Sequence, residues 1–211
     1  MAQPPKLYLA SQSPRRRELL QQWGLACELL LPEPGEDAEA LEALRANESP
    51  ARYVQRVTGL KLQAAVARLE RQSLPPGAIL CADTTVALGR QILGKPASRA
   101  EAARMLASLS GQMHQVFTAV ALAFPTRQGW QFRQALSRSR VTFGPLTAAD
   151  IRRYVATGEP MGKAGAYAIQ GVAAIWVQRI SGSYTGIVGL PAHETAQLLQ
   201  EAGFVLPAAG Q

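Results

Sequence analysis

The sequence predicts an α/β protein with one mixed sheet flanked by helices. Apolar strand candidates alternate with amphipathic helices along the chain. Two long strand candidates, residues 115–124 and 131–143, follow each other across a short turn, which indicates an antiparallel pair. No repeat, linker or break in composition divides the 211 residues, so we expect a single domain over residues 1–211.

The first part of the chain predicts two strands, a helix and a loop. Residues 7–10 form an apolar strand, after which Ser13 is suited to cap a helix and Pro14 to open it. Residues 26–31 predict a second strand. The acidic segment that follows, residues 36–48, is expected to be an exposed or mobile connection.

The middle of the chain predicts a long helix and a buried strand. Ser49 and Pro50 open a helix that extends to about residue 72. Residues 78–88 are apolar on both faces, which is typical of a central strand. Ser98 then opens a further helix, which ends near residue 109.

The last part of the chain predicts two helices around a strand. Thr147, with Asp150 at the capping-box position, opens a helix that Gly158 ends. Residues 173–180 predict a strand, and a final helix extends from residue 191 to 203.

Composition limits the class of partner. With 47% hydrophobic and 18% charged residues, the chain has the balance of a globular protein. The net charge of +7 suits a nucleic-acid binder, an enzyme for anionic small molecules, or a protein from an arginine-rich proteome. Only 6% of residues are aromatic, so few bases could stack, and nucleic acid is the weaker candidate.

The same composition predicts a cytoplasmic protein. No apolar stretch reaches the length of a membrane span, and the N-terminus lacks the apolar core of a signal peptide. Cys27 and Cys81 are too few for a disulfide framework, so a reducing compartment is expected.

A cluster of arginines at the first helix indicates an anion site. Residues 11–17 read Ser-Gln-Ser-Pro-Arg-Arg-Arg, so three cations lie where a helix N-terminus is already partly positive. This placement favours a phosphate-binding turn. The alternative is a solvated surface, because consecutive helical side chains diverge by about 100° and at most two can face one ligand.

Asp83 breaks the pattern of its own strand. Burying a charge without a partner costs roughly several kcal/mol of folding free energy. This carboxylate should therefore bind a metal, receive hydrogen bonds or accept a proton. A structural aspartate bonded to nearby backbone N–H groups is the alternative.

Two lysines are further candidates. Lys61 falls on the apolar stripe of its helix, although long lysines often extend out of such stripes. Lys95 is held on a Gly-Lys-Pro turn that lacks a Walker A frame. His114 and His193 lack metal-ligand spacing, and Cys81 has no histidine nearby in sequence, which disfavours a thiol nucleophile.

Several segments taken together resemble the Maf family of nucleotide pyrophosphatases, and the likeness extends from about Lys6 to Gly203. The resemblance rests on residues 9–16 (LASQSPRR), 82–86 (ADTTV), 94–96 (GKP), 162–171 (GKAGAYAIQG) and 188–191 (VGLP). It implies a fold like that of the inosine triphosphate pyrophosphatases, with an elongated twisted sheet, two lobes around a cleft, and often a homodimer. It also implies hydrolysis of nucleoside triphosphates to the monophosphate and pyrophosphate, with Mg²⁺ or Mn²⁺.

The resemblance assigns roles residue by residue. Asp83 matches the family's proton acceptor, and our hypothesis is that it also holds the divalent metal together with Glu36. The polar residues around the phosphate and metal site are matched by Ser11, Arg16, Lys61 and Lys95. With Asp83, the two lysines form the implied catalytic set, while Ser11 and Arg16 are implied to bind substrate.

Three positions imply a substrate type. Arg15, Thr84 and Gln170 resemble the dTTP/UTP type of the family, whereas the 7-methyl-GTP type has Trp, Gln and Glu there. The chain departs from the family in the loop after the second strand, which here reads Pro-Gly-Glu-Asp. Glu36 is the best match to the family's acidic metal ligand, and Asp37 is the alternative.

The resulting hypothesis is a metal-dependent dTTP/UTP pyrophosphatase in which Asp83 accepts a proton from the attacking water. Two other classes stay open: a non-catalytic nucleotide-binding regulator of cell division, and a basic nucleic-acid-binding protein. A pyrophosphatase of the 7-methyl-GTP type is a further alternative.

Overall fold

A computed structural model describes residues 5–36 and 40–206. The α/β class is confirmed, because one seven-stranded mixed sheet is flanked by helices. The strands are β1 (Leu7–Leu9), β2 (Glu28–Leu29), β3 (Ala78–Leu88), β4 (Gln91–Leu93), β5 (Met113–Thr126), β6 (Gly129–Phe143) and β7 (Val177–Ser181). The helices are α1 (Pro14–Gln22), α2 (Pro50–Arg71), α3 (Arg99–Leu109), α4 (Ala148–Ala156), α5 (Tyr184–Val188) and α6 (Ala192–Glu201).

The sheet has the order β2-β1-β3-β5-β6-β7, and β4 pairs with β3. β1 is parallel to both β2 and β3, whereas β3, β5, β6 and β7 pair antiparallel in that order. The predicted pairing of the two long strands is therefore confirmed, and it runs without interruption from Met113 opposite Thr142 to Thr126 opposite Gly129. The two strands therefore form one continuous antiparallel ribbon.

The two faces of β3 pack into different parts of the core. Ala78, Leu80 and Val86 belong to the larger cluster, together with residues of α1, α3, α4 and α6. Ile79 and Cys81 face the opposite side, where they pack against the apolar stripe of α2. Because strand side chains alternate between faces, neighbouring residues of β3 serve different sides of the sheet.

Several predicted boundaries are corrected. The second strand is only two residues long, and β4 was not predicted. The strand predicted from residue 173 begins at Val177, after a 3₁₀ helix (Val172–Trp176). The physical reason is the lack of a partner, since pairing with β6 starts only where Val177 meets Phe143. Ser13 precedes α1 as predicted, but its side chain makes no capping hydrogen bond.

The acidic segment is held against α2 over the residues that the structure describes. It contains a 3₁₀ helix (Ala40–Glu42), and its Glu48 pairs with Arg56 of α2 at 2.6 Å. The expectation of an exposed connection is confirmed for residues 40 and 43–47, which are exposed, while Glu42 and Glu48 are partly buried against the helix. Opposite charges on the loop and the helix hold the two together.

The glycine-rich loop, residues 162–171, packs closely against β3. Gly165 has a φ of +67°, and a Cβ at this position would lie 2.9 Å from Val86 Cγ1. Its N–H also donates to Gly94 O at 3.1 Å. Only glycine satisfies both the positive φ and the close contact, so this residue fixes the loop beside β3.

In the described ranges, no helix combines the length and the apolar character that a membrane crossing requires.

Candidate active site

A gap along one edge of β3 creates the site. β1 pairs with residues 78–80 of β3 and β4 with residues 86–88. Between these two stretches, within the described residues, no strand covers β3 on this side, and Asp83 and Thr84 lie there. A cleft of about 810 Å³ opens at the gap and is lined by both residues.

Asp83 and a glutamate from the acidic segment share one ammonium group. Lys61 Nζ donates to Asp83 Oδ1 and to Glu42 Oε1, both at 2.7 Å. The side chains are 14% exposed for Asp83, 19% for Lys61 and 25% for Glu42, so the cluster is shielded yet reaches the cleft. The helical stripe that made Lys61 a candidate thus directs it at Asp83.

The charges of this cluster support one another. Burial alone would lower the pKa of Lys61, but the charge of Asp83 and the hydrogen bonds to Asp83 and Glu42 raise it above its ordinary value. Burial would raise the pKa of Glu42, yet Lys61 and Lys95 together hold it below the usual range. Lys61 is therefore protonated and Glu42 ionised at neutral pH.

Lys95 joins the same cluster through Glu42. Its Nζ donates to Glu42 Oε1 at 3.2 Å, and its side chain is 53% exposed. Because this pair is open to solvent, it is weak, and Lys95 is free to exchange Glu42 for a phosphate oxygen. The structure thus brings together the three predicted catalytic residues and adds Glu42.

Arg16 joins α1 to the other wall of the cleft. Its Nε donates to Gly189 O at 2.8 Å, Nη1 to Ser11 Oγ at 2.9 Å and Nη2 to Thr84 Oγ1 at 3.4 Å. Among the residues that the structure describes, the other N–H groups of Nη1 and Nη2 have no partner and can bind a ligand. The two predicted substrate-binding residues, Ser11 and Arg16, therefore form one unit that lines the cleft.

The hydroxyl of Thr84 has a defined orientation. Thr118 Oγ1 donates to Gly186 O at 2.7 Å, which uses its only proton. The 3.0 Å contact between Thr84 Oγ1 and Thr118 Oγ1 must then have Thr84 as donor. Since Thr84 also accepts from Arg16, it has only a lone pair left to offer a ligand.

The other two predicted specificity residues differ in position. Arg15 lines the cleft, where Lys163 from the glycine-rich loop joins it. Burial lowers the pKa of Lys163, and the charge of Arg15 lowers it further, so an anion or a carbonyl oxygen would be favoured between them. Gln170 is exposed and does not belong to the described cleft lining, although its neighbour Ile169 does.

Glu36, the predicted acidic metal ligand, lines the same cleft as Asp83 but forms ion pairs with arginines of α2. Its carboxylate binds Arg68, a buried residue of α2, and also Arg71. Arg68 lies seven residues beyond Lys61, about 10 Å along the helix axis. Asp37, the alternative ligand, lies outside the described residues.

The remaining polar candidates lie outside the described cleft lining. His114 is buried on β5, where its Nε2 lies 2.8 Å from the hydroxyl of Tyr167, and burial lowers its pKa to about 4. Burial raises the pKa of the Cys81 thiol to about 11, which leaves almost no thiolate at neutral pH. His193 is exposed.

Comparison with known proteins identifies the family. The family model described as "Maf-like protein" matches residues 6–202. The chain belongs to the Maf family. The Maf match extends from β1 into the residues after α6, so it includes Asp83, Glu42 and both lysines. The resemblance inferred from the sequence motifs is confirmed.

Curated Maf relatives are similar over almost their whole length. A protein of Polaromonas sp. named dTTP/UTP pyrophosphatase is 62% identical over 197 residues, which is 93% of this chain and 96% of the relative. A protein of the same name from Cupriavidus metallidurans has the same identity and coverage. Another from Ralstonia nicotianae is 57% identical over 202 residues, 96% of each chain.

Proposed function

We propose that this Maf protein hydrolyses nucleoside triphosphates to the monophosphate and pyrophosphate, with a preference for dTTP and UTP. The observation that carries the proposal is the bridge of Asp83 and Glu42 through Lys61, at the edge of a cleft that also presents Arg16 and Lys95. The names of the curated relatives support the same activity.

The geometry suits an attack by water on the α-phosphorus. Asp83 accepts a proton from the water while the water oxygen bonds to the α-phosphorus. The bond from the α-phosphorus to the oxygen that bridges it to the β-phosphorus breaks. The leaving pyrophosphate takes the electron pair of that bond. Lys61 orients Asp83, while Arg16 and Lys95 stabilise the phosphate oxygens as charge develops.

The donor set of the site fits a hard divalent cation. Two carboxylates, Asp83 and Glu42, converge on one ammonium group, and oxygen ligands of this kind suit Mg²⁺ and Mn²⁺. The described residues contain no group of three or more acidic, histidine or cysteine side chains that could hold a metal alone. We therefore propose Asp83 and Glu42 as its protein ligands, with water and phosphate oxygens as the others. When bound, the cation would neutralise phosphate charge.

Thr84 supports a preference for pyrimidine bases that carry a proton on ring N3. Its hydroxyl can only accept from a ligand, because Thr118 takes its proton. The N3–H of uracil and thymine is a donor, whereas N3 of cytosine is an acceptor and would face the lone pair unfavourably. Arg15 and Lys163 line the same cleft and supply donors suited to carbonyl oxygens.

Replacing Thr118 by valine should weaken this discrimination. The Thr84 proton would lose its acceptor, so the hydroxyl could turn and donate to cytosine N3. We expect the ratio of kcat/KM for UTP over CTP to fall about tenfold, the value of one hydrogen bond. Thr118→Ser keeps the hydroxyl and should keep the ratio. An unchanged ratio in a folded Thr118→Val protein would contradict the role given to Thr84.

A panel of nucleoside triphosphates, assayed for pyrophosphate release with and without Mg²⁺ or Mn²⁺, tests the proposed function. We expect dTTP and UTP to be cleaved fastest and only with metal. Binding without release of pyrophosphate would instead indicate a nucleotide-binding regulator. Faster cleavage of 7-methyl-GTP would overturn the interpretation of Arg15, Thr84 and Gln170.

We also propose that the protein is cytoplasmic, as its composition predicts, and that it forms a homodimer, as the family resemblance implies. Sedimentation equilibrium of the purified protein tests the dimer, since a mass near 22.6 kDa would mean a monomer.

A further inference from the structure

The backbone around Glu42 is held by two side chains of α2. The hydroxyl of Tyr53 donates to Glu42 O at 3.1 Å. Arg56 donates from Nη2 to Ala43 O at 2.9 Å and from Nη1 to Leu41 O at 3.5 Å. Three consecutive carbonyl groups of the acidic segment, with Glu42 in the middle, thus accept hydrogen bonds from one helix.

The same arginine is anchored at its other edge. Arg56 Nε lies 2.7 Å from Glu48 Oε1 and Nη2 lies 2.6 Å from Glu48 Oε2, which is a bidentate pair. The two side chains are only 15% and 11% exposed, and the guanidinium lies 5.6 Å from the ring centre of Tyr53. The Arg56 side chain therefore has little conformational freedom. Its planar guanidinium group links Glu48 to the turn that contains Glu42.

The orientation of the Glu42 carboxylate depends on this turn. Glu42 ends a 3₁₀ helix of three residues, which is too short to hold its own conformation. If the carbonyl groups at 41–43 lost their donors, the turn could rotate and carry the carboxylate away from Lys61 and Lys95. A displacement of about 1 Å in a catalytic group can cost roughly a hundredfold in rate.

We propose that Arg56, assisted by Tyr53, is a positioning residue that holds Glu42 in the geometry required for metal and triphosphate binding. This inference rests on the proposed function. Arg56 does not line the described cleft and acts only through Glu42. Lysine cannot replace Arg56, because an ammonium group lacks the several planar N–H donors that bind Glu48 and the carbonyl groups at the same time.

A double-mutant cycle tests the proposal. Arg56→Gln should lower kcat/KM for dTTP by about tenfold to a hundredfold and raise the Mg²⁺ concentration needed for half-maximal rate, and Arg56→Lys should have comparable effects. In a Glu42→Gln background, Arg56→Gln should cost less than about twofold, since nothing remains to be positioned. Arg52→Gln, an exposed arginine one turn earlier on α2, is the matched control and should change neither background. Equal losses by Arg56→Gln in both backgrounds, or no loss at all, would overturn the proposal.

Two measurements separate this role from general stability and from a failure of the proposed function. Mn²⁺ binding is followed by the electron paramagnetic resonance signal of the free ion, and amide exchange is followed at Ala43, whose N–H donates to Ala40 O at 3.4 Å. We expect Arg56→Gln to weaken Mn²⁺ binding and to speed exchange at this amide. Arg56→Lys, which keeps the charge, should change both in the same direction. If the wild type released no pyrophosphate, the proposed function would fail, yet these measurements would still decide the role of Arg56. Unchanged Mn²⁺ binding and exchange in both variants would refute it.

Discussion

Replacement of Asp83 by asparagine should lower kcat for dTTP about a thousandfold while the fold is retained, because the amide cannot accept the proton of the attacking water. Asparagine has nearly the same volume and can still contact Lys61, so the packing of β3 should persist. Pyrophosphate release gives the rate, and circular dichroism with thermal unfolding gives the state of the fold.

A second carboxylate provides the control for Asp83. Asp150 closes the capping box of α4 and lies outside the described cleft lining, so Asp150→Asn should lower stability by about 1 kcal/mol and leave kcat unchanged. Pyrophosphate release by Asp83→Asn at a rate within a few times that of the wild type would refute Asp83 as the proton acceptor.

Glu42→Gln and Glu36→Gln should separate a metal ligand from a structural ion-pair partner, two roles that the sequence could not assign. Glu42→Gln should lower kcat/KM about a hundredfold and raise the Mg²⁺ concentration needed for half-maximal rate, since it removes a proposed metal ligand. Glu36→Gln should leave the rate within about threefold and lower the melting temperature, because buried Arg68 loses its carboxylate partner. Mg²⁺ titrations of activity and thermal unfolding of both variants provide the measurements.

A large loss of rate in Glu36→Gln would instead support Glu36 as the metal ligand, as the sequence predicts. A rate loss in Glu36→Gln as large as that in Glu42→Gln would mean that the cluster of Glu36, Arg68 and Arg71 rearranges during the reaction.

Local signals predicted most of the elements well. The strand over residues 78–88 was predicted with its observed bounds, because an apolar run between Pro-Pro-Gly and a glycine turn has few other conformations. Caps at Ser49, Ser98 and Thr147 placed the starts of three helices. The errors lie where pairing with a neighbouring strand decides whether a segment is a strand. Examples are β4 and the first half of the strand predicted from residue 173.

Glu42 is the carboxylate of the site that the sequence analysis did not single out. Glu42 is one of several acidic residues in a segment without periodicity, and it lies 19 residues from Lys61 and 41 from Asp83 in sequence. Nothing local distinguishes it from Glu36. The one available signal was Lys61 itself, a cation on the buried stripe of α2 that needed carboxylate partners.

The sequence by itself determined the α/β class, the family and the residues that break their own local pattern: the arginines at the start of α1, Asp83 within an apolar strand, and Lys61 on an apolar helical face. Tertiary structure alone decided which carboxylate shares Lys61 with Asp83, how Arg56 holds it, and that Thr84 can only accept from a ligand. The physical reason is that propensity and burial act within a few residues of the chain, whereas an ion pair or a hydrogen-bond direction depends on which distant groups the sheet brings together.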